Sequence, residues 1–177
     1  MFDIPIAIRH LVTTGHQPYV SAEENIAELT VRAIVLGLVL GALMTAANTY
    51  QGLYMGMTVS ASIPAAVMSM LLLRLLKFKD VTILENNVVQ TMTSAGESLA
   101  AGIIFTMPAL LVMGFADDMN FVTVFCVAIL GGVLGTIFTI ALRRVFIVEE
   151  ALLYPEGIAC EEVLVAGEKG GSSLIVI

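Results

Sequence analysis

Asn86, Gln90, Thr93 and Glu97 recur at i, i+4, i+7 and i+11, the spacing that places four polar side chains on one face of a helix. Asn87, Thr91, Ser94 and Ser98 form a second polar stripe beside them, and Val88, Met92, Ala95 and Leu99 an apolar one. Amides and hydroxyls donate and accept without carrying charge. That suits peptide amides or the carboxylates of a chelate, and equally hydrogen bonds between helices. Glu97 adds an ionisable group. In or near a membrane segment such a carboxylate can take up and release a proton or bind a cation; it can also cap a neighbouring amide or face headgroups. Asn48 offers the same uncharged chemistry from an earlier segment. Glu85 lies close to Lys77 and Lys79 and reads as a helix-start or ion-pair residue.

Other chemistries are excluded by what the chain lacks. Both histidines, His10 and His16, precede the first apolar run, and there is no CxxC or Cys/His spacing for a metal. Cys126 lies in an apolar run and Cys160 in a loop-like segment, so reduced thiols are expected. Glu149-Glu150 beside a span resembles half of an intramembrane protease centre, but the histidines that would complete it are missing. No catalytic residue, metal or cofactor is assigned. A net charge of -7 argues against a nucleic-acid partner.

The elements that hold the polar helix are membrane spans. Of the 177 residues, 58% are hydrophobic and only 13% charged, so lipid is the expected solvent for much of the chain. The expected fold is all-α, a polytopic membrane protein with about four spans, at 31–50, 53–76, 99–115 and 121–142. A polar helix at 84–98 is re-entrant, interfacial or the first half of a broken helix. Residues 146–171 read as a polar connection. Residues 1–30 are a tail without a signal peptide, and Ser21 with Glu23 and Glu24 predicts a short surface helix. Gly37, Gly41, Thr45 and Asn48 share a face, as do Gly52, Gly56 and Ser60, and Gly131, Gly132, Gly135 and Thr136; such faces let helices approach closely. Pro64 within the second run predicts a kink or break, and Pro108 falls in the third. Arg74, Lys77 and Lys79 follow the second span, Arg143 and Arg144 the fourth, and Asp117 and Asp118 lie between. This pattern puts both termini in the cytoplasm and the protein in the cytoplasmic membrane. The closing SSLIVI reads as the start of a further span, which predicts a chain cut short.

Three segments carry a family resemblance: NTYQGLYMGMTVSASIPAA at Asn48–Ala66, TILENNVVQTMTSAGESLAAGIIFTMPAL at Thr82–Leu110, and YPEGIACEEVL at Tyr154–Leu164 followed by Ala166-Gly167-Glu168. Together they resemble the N-terminal part of the oligopeptide transporter family, in its bacterial and archaeal branch related to the yellow-stripe-like carriers. Ile158 and Glu161 depart from that branch's last motif, PEGTACAEVL. The resemblance implies secondary active transport, proton-coupled, of small peptides or peptide-like metal chelates. It makes Asn86, Asn87, Gln90, Thr93 and Glu97 path-lining candidates, with Glu97 the protonatable one. Asn48, Tyr50 and Gln51, with the Gly52–Pro64 helix, are a second wall. The partners implied are the bilayer, the cargo, protons and the remainder of the transporter. The rival reading is a small four-span protein that acts as a homodimer or as a subunit of a membrane complex.

Overall fold

The structure, a computed structural model, describes residues 19–170 except 22, 77, 79, 116–119, 150, 151 and 153. The expectations for His10, His16, Lys77, Lys79, Asp117, Asp118, Glu150 and the closing SSLIVI therefore lie outside the described residues. Helix α1 spans Val31–Met55 and α2 Ser62–Leu75; α3 spans Ile83–Val112 and α4 Phe121–Arg143, which continues into a π-helical turn, Arg144–Glu149; α5 spans Pro155–Glu168. The fold is that of a polytopic helical membrane protein, with no strand among the described residues. Helices α1, α3 and α4 are each long and apolar enough to cross a membrane, and α2 is a shorter apolar helix.

Local chemistry sets the boundaries, and several differ from the expected ones. Thr30 caps α1 by accepting from the Ala33 amide at 3.2 Å. The helix then runs through Tyr50 and Gln51 and stops at Gly56, whose φ of 73° is the left-handed conformation that glycine adopts without strain. Residues 57–61 are not helical, so 53–76 is not one span but the end of α1, a break, and α2. Pro64 does not kink a helix, because it is the third residue of α2, where an amide has no intrahelical acceptor to lose.

The polar stretch 84–98 and the span 99–115 are one continuous helix of 30 residues, about 45 Å long. A capping box starts it: Thr82 Oγ1 accepts from the Glu85 amide, and the Glu85 carboxylate from the Thr82 amide, both at 3.2 Å. Gly96 does not break it, because α1 packs there. Asn120 caps α4 by accepting from the Thr123 amide at 2.9 Å. The connection 146–171 contains α5, and Cys160 is buried in that helix rather than lying in a loop. After Ser21 the chain makes only a turn, and residues 23–30 are not helical.

Contacts fix the directions of the helices. Pairs at Arg32–Glu85, Asn48–Glu97 and Gly52–Ile104 make α1 and α3 parallel. Ser62–Ser94 and Ser69–Asn86 make α2 antiparallel to α3. Helix α2 therefore begins level with Glu97, roughly 18 Å along α3 from Glu85, and returns to the end where α3 starts. Helix α5 runs parallel to α2: Glu156 meets Ser60 at one end, and Gly167 meets Met70 and Arg74 at the other.

Small residues set the α1–α3 spacing. A Cβ on Gly37 would lie 2.8 Å from Met92 Sδ, one on Gly52 2.8 Å from Ile104 Cδ1, and one on Gly96 2.6 Å from Thr45 Oγ1. On Gly41 the nearest atom would be 3.5 Å away, an ordinary contact. Gly96→Ala is thus expected to lower stability by about 1–3 kcal/mol through overpacking, and Gly41→Ala by well under that. Thermal unfolding of the two variants in detergent checks the order, and equal melting temperatures would contradict it. Helix α4 has no buried residue; a Cβ on Gly132 would lie 4.0 Å from Leu99 Cδ2, and most of the helix is exposed, with Val124, Ala128 and Gly132 half-buried along one side.

Candidate functional site

Polar groups from four parts of the chain line one cleft of about 1210 Å³. Helix α3 contributes Asn87, Gln90, Ser94, Glu97 and Ser98. The break and the start of α2 contribute Thr58, Ser60 and Ser62. Helix α5 adds Glu156, Cys160 and Glu161, with Tyr154 just before it, and Tyr19 and Val20 close a side. The cleft lies where the N-termini of α2 and α5 meet beside α3. Neither of those helices has a side-chain N-cap. Acidic groups stand there instead: Glu97 Oε2 accepts from the Ala61 amide at 3.3 Å, and Glu156 lies in the first turn of α5.

Glu97 holds the break in shape. Its other oxygen accepts from Asn48 Nδ2 at 3.0 Å, and Asn48 Oδ1 accepts from the Val59 amide at 3.1 Å. One carboxylate and one carboxamide thereby satisfy two amides of a non-helical segment that the helices on either side cannot serve. Both side chains are buried, and Glu97 still reaches the cleft.

The eight expected path residues do not all come together. Asn87, Gln90 and Glu97 line the cleft, and Asn48 stands behind Glu97. Asn86 turns into the α2–α3 contact, where it accepts from Ser69 and donates to the Thr82 carbonyl. Thr93 is fully buried, bonded to the Val89 carbonyl at 2.8 Å beside Gly41. Tyr50 is exposed and stacked on Tyr54, and Gln51 is half-buried on α1 away from the cleft. The reason is rotational. Helices α1 and α2 take the Asn86–Thr93 side of α3, so the cleft opens a fraction of a turn away, along Asn87, Ser94 and Ser98.

Sequence reasoning placed Ser60 on a small-residue packing face and Ser60 and Ser62 in a Gly52–Pro64 helix, which the structure breaks at 57–61, and it named Glu156 only within the family motif. Ser60 Oγ donates to Glu156 Oε1 and lies 3.3 Å from Ser62 Oγ; Ser62 Oγ is 2.9 Å from Ser94 Oγ, and Gln90 Nε2 donates to Ser94 Oγ at 3.2 Å. A hydrogen-bonded row thus crosses the cleft from α3 to α5. The available signals were two separate ones, the Ser60–Ser62 pair within Asn48–Ala66 and the YPEG run within Tyr154–Leu164, and nothing local joins them. Arg32 was missed as well: it pairs with Glu85, the partner expected at Lys77 or Lys79.

The serine hydroxyls of Ser60 and Ser62 hold the Glu156 carboxyl below the usual carboxylate range. Burial, and then the Glu156 charge, push the Cys160 thiol up. The ionisable groups around Glu156 in the cleft are Glu97 on α3, Tyr19 near the start of the described chain, Tyr154 just before α5, and Cys160 and Glu161 on α5. A carboxyl whose folded pKa is lowered contributes stability above its unfolded pKa of about 4.3 and loses it as pH falls through the folded value. The melting-temperature gap between the parent protein and Glu156→Gln is therefore expected to be widest near neutrality and to close in acid. A gap that grows in acid would contradict this.

A family model described as "OPT oligopeptide transporter protein" matches residues 28–175. A Haemophilus influenzae protein named "Putative oligopeptide transporter" is 48% identical over 90 residues, which is 51% of this chain and 14% of that protein. The chain thus matches a small part of that relative's length. No solved structure matches the chain.

Proposed function

The chain belongs to the OPT oligopeptide transporter family, and on that premise we propose that it forms part of a secondary active, proton-coupled transporter of small peptides or peptide-like metal chelates in the cytoplasmic membrane. The observation that carries this reading is the cleft at the helix break. Two half-length helices begin there, facing the amide and hydroxyl side of α3, and interrupted helices at mid-depth are a common way to build a transport site. Asn87, Gln90 and Ser94 supply donors and acceptors matched to peptide amides. Glu97 supplies the protonatable group, standing between the cleft and the break, so that a change in its charge alters the hydrogen bonds of both. Asn48 positions Glu97. Asn86 and Thr93 act by holding α3 against its neighbours, and Tyr50 and Gln51 stand on a separate wall of α1. The remainder of the transporter completes the path.

The test is uptake of labelled di- to tetrapeptides and of metal chelates by vesicles bearing the full-length parent, with and without an inward proton gradient. Gradient-driven accumulation is expected. Glu97→Gln is expected to abolish the stimulation by the gradient while leaving cargo exchange at equal pH. Stimulation undiminished in that variant would remove Glu97 from the proton role, and no uptake of either cargo class by the active parent would remove the substrate assignment.

A further inference from the structure

Helix α5 is attached unevenly. Its middle and C-terminal turns are packed: Cys160 and Leu164 are buried with Ala66, Met70 and Ile83. Gly167 lies so close to Met70 that a Cβ would collide with its sulfur, and Arg74 Nη2 donates to the Gly167 carbonyl. The first turn is different. Pro155, Glu156 and Gly157 are exposed, and the helix has no side-chain N-cap. Among the described residues, the direct hydrogen bond that ties this turn to the rest of the protein is the one from Ser60 to Glu156, with the Ser62 hydroxyl acting on the same carboxylate and a long contact, 3.9 Å, from Cys160 Sγ to the Ser62 carbonyl one turn further on. Ser60 stands in the non-helical segment, whose own shape depends on Asn48 and Glu97.

From this we propose that the Glu156–Ser60 contact is a latch: it holds the first turn of α5 over the helix break, and its release lets that turn swing away and widen the cleft, with the packed Cys160–Gly167 portion as the fixed end. The carboxylate accepts a charge-assisted bond from a neutral hydroxyl. Among the described residues no cation pairs with it, unlike Glu85 and Glu149, which pair with Arg32 and Arg144. Such a bond is strong enough to favour closure and weak enough to open on the timescale of loop and lid motions. The latch is a property of these elements and stands whichever cargo the parent carries. It also assigns the YPEG turn a mechanical role.

Hydrogen–deuterium exchange of the full-length parent in lipid nanodiscs tests it without any transport readout. Ser60→Ala and Glu156→Gln are each expected to raise exchange in both 57–61 and the first turns of α5, by about five-fold, the factor for one such hydrogen bond. The α1–α3 contact is expected to stay protected. A Ser60→Cys/Glu156→Cys pair is expected to form a disulfide under oxidant and to lower exchange in the same two segments below the parent's, with reductant restoring it. Exchange that rises only in the substituted segment, a pair that does not cross-link, or a disulfide that leaves exchange unchanged would overturn the proposal. Loss of transport with the coupled exchange intact would count against the transport reading alone.

Discussion

Arg32→Ala is expected to destabilise the protein by about 3 kcal/mol, the range for removing one partner of a buried ion pair. Glu85 is fully buried, and Arg32 forks onto it, Nε to Oε1 and Nη2 to Oε2, each at 2.7 Å. The same guanidinium donates to the Asp80 carbonyl at 2.5 Å and lies 5.1 Å from the centre of the Phe78 ring. Without it the carboxylate keeps Thr30 Oγ1 and the Thr82 amide but has no countercharge, in a site water does not reach. The contact also sets the relative height of α1 and α3, since it joins the first turns of two parallel helices. Arg32→Lys is expected to recover only part of the loss, because an ammonium cannot form the fork. Thermal unfolding of Arg32→Ala, Glu85→Ala and the double variant gives the decisive comparison. The double variant should melt well above the sum of the single losses, whereas simple additivity would mean that the pair contributes nothing as a pair.

Glu97→Ala is expected to lower stability by about 2–3 kcal/mol, since it leaves the buried Asn48 amide and the Ala61 amide without an acceptor. The larger consequence falls on the break. With Asn48 no longer held, the Val59 amide also loses its fixed partner, and the 57–61 segment that lines the cleft loses its shape. Glu97→Gln is expected to cost about half as much. Its carbonyl oxygen can still accept from Asn48, while its NH2 group meets the Ala61 amide donor to donor. The two variants separate the two roles assigned to this residue. If Glu97 were only a structural acceptor, uptake would track stability, with Gln milder than Ala and the gradient still effective. If it also carries the proton, Gln abolishes the gradient's effect in a protein that still folds. Melting curves beside gradient-driven uptake for both variants decide between these outcomes.

The contrast between these two glutamates shows where sequence reading ends. Membrane residence, all-helical class and the polar-faced helix at 84–98 are legible from composition and periodicity, because they follow from local apolar content and from side-chain spacing along one helix. The close-packed role of Gly37 is legible for the same reason, whereas Gly41, on the same stripe, leaves room for a Cβ. The start of α3 was half-visible: Thr82 and Glu85 have capping-box spacing, but the cation that completes the site comes from a helix 53 residues earlier in the chain. The break was misplaced to Pro64. A proline is a strong local signal, whereas the actual break rests on Gly56 and on two acceptors, Asn48 and Glu97, brought in from other helices.

For the polar stretch itself, the sequence by itself determined that one side of the helix could not face lipid, because amides, hydroxyls and a carboxylate lack partners there. It did not determine which stripe would meet a cavity. Asn86 and Asn87 are neighbours of the same type, yet Asn86 is buried against Ser69 while Asn87 lines the cleft. Only the tertiary structure decided between them. The rotation of α3 is set by its contacts with α1 and α2, and the contact with α1 depends on close approach at Gly37, Gly52 and Gly96. Periodicity identifies a face, but which neighbour that face meets depends on packing between segments distant in the chain.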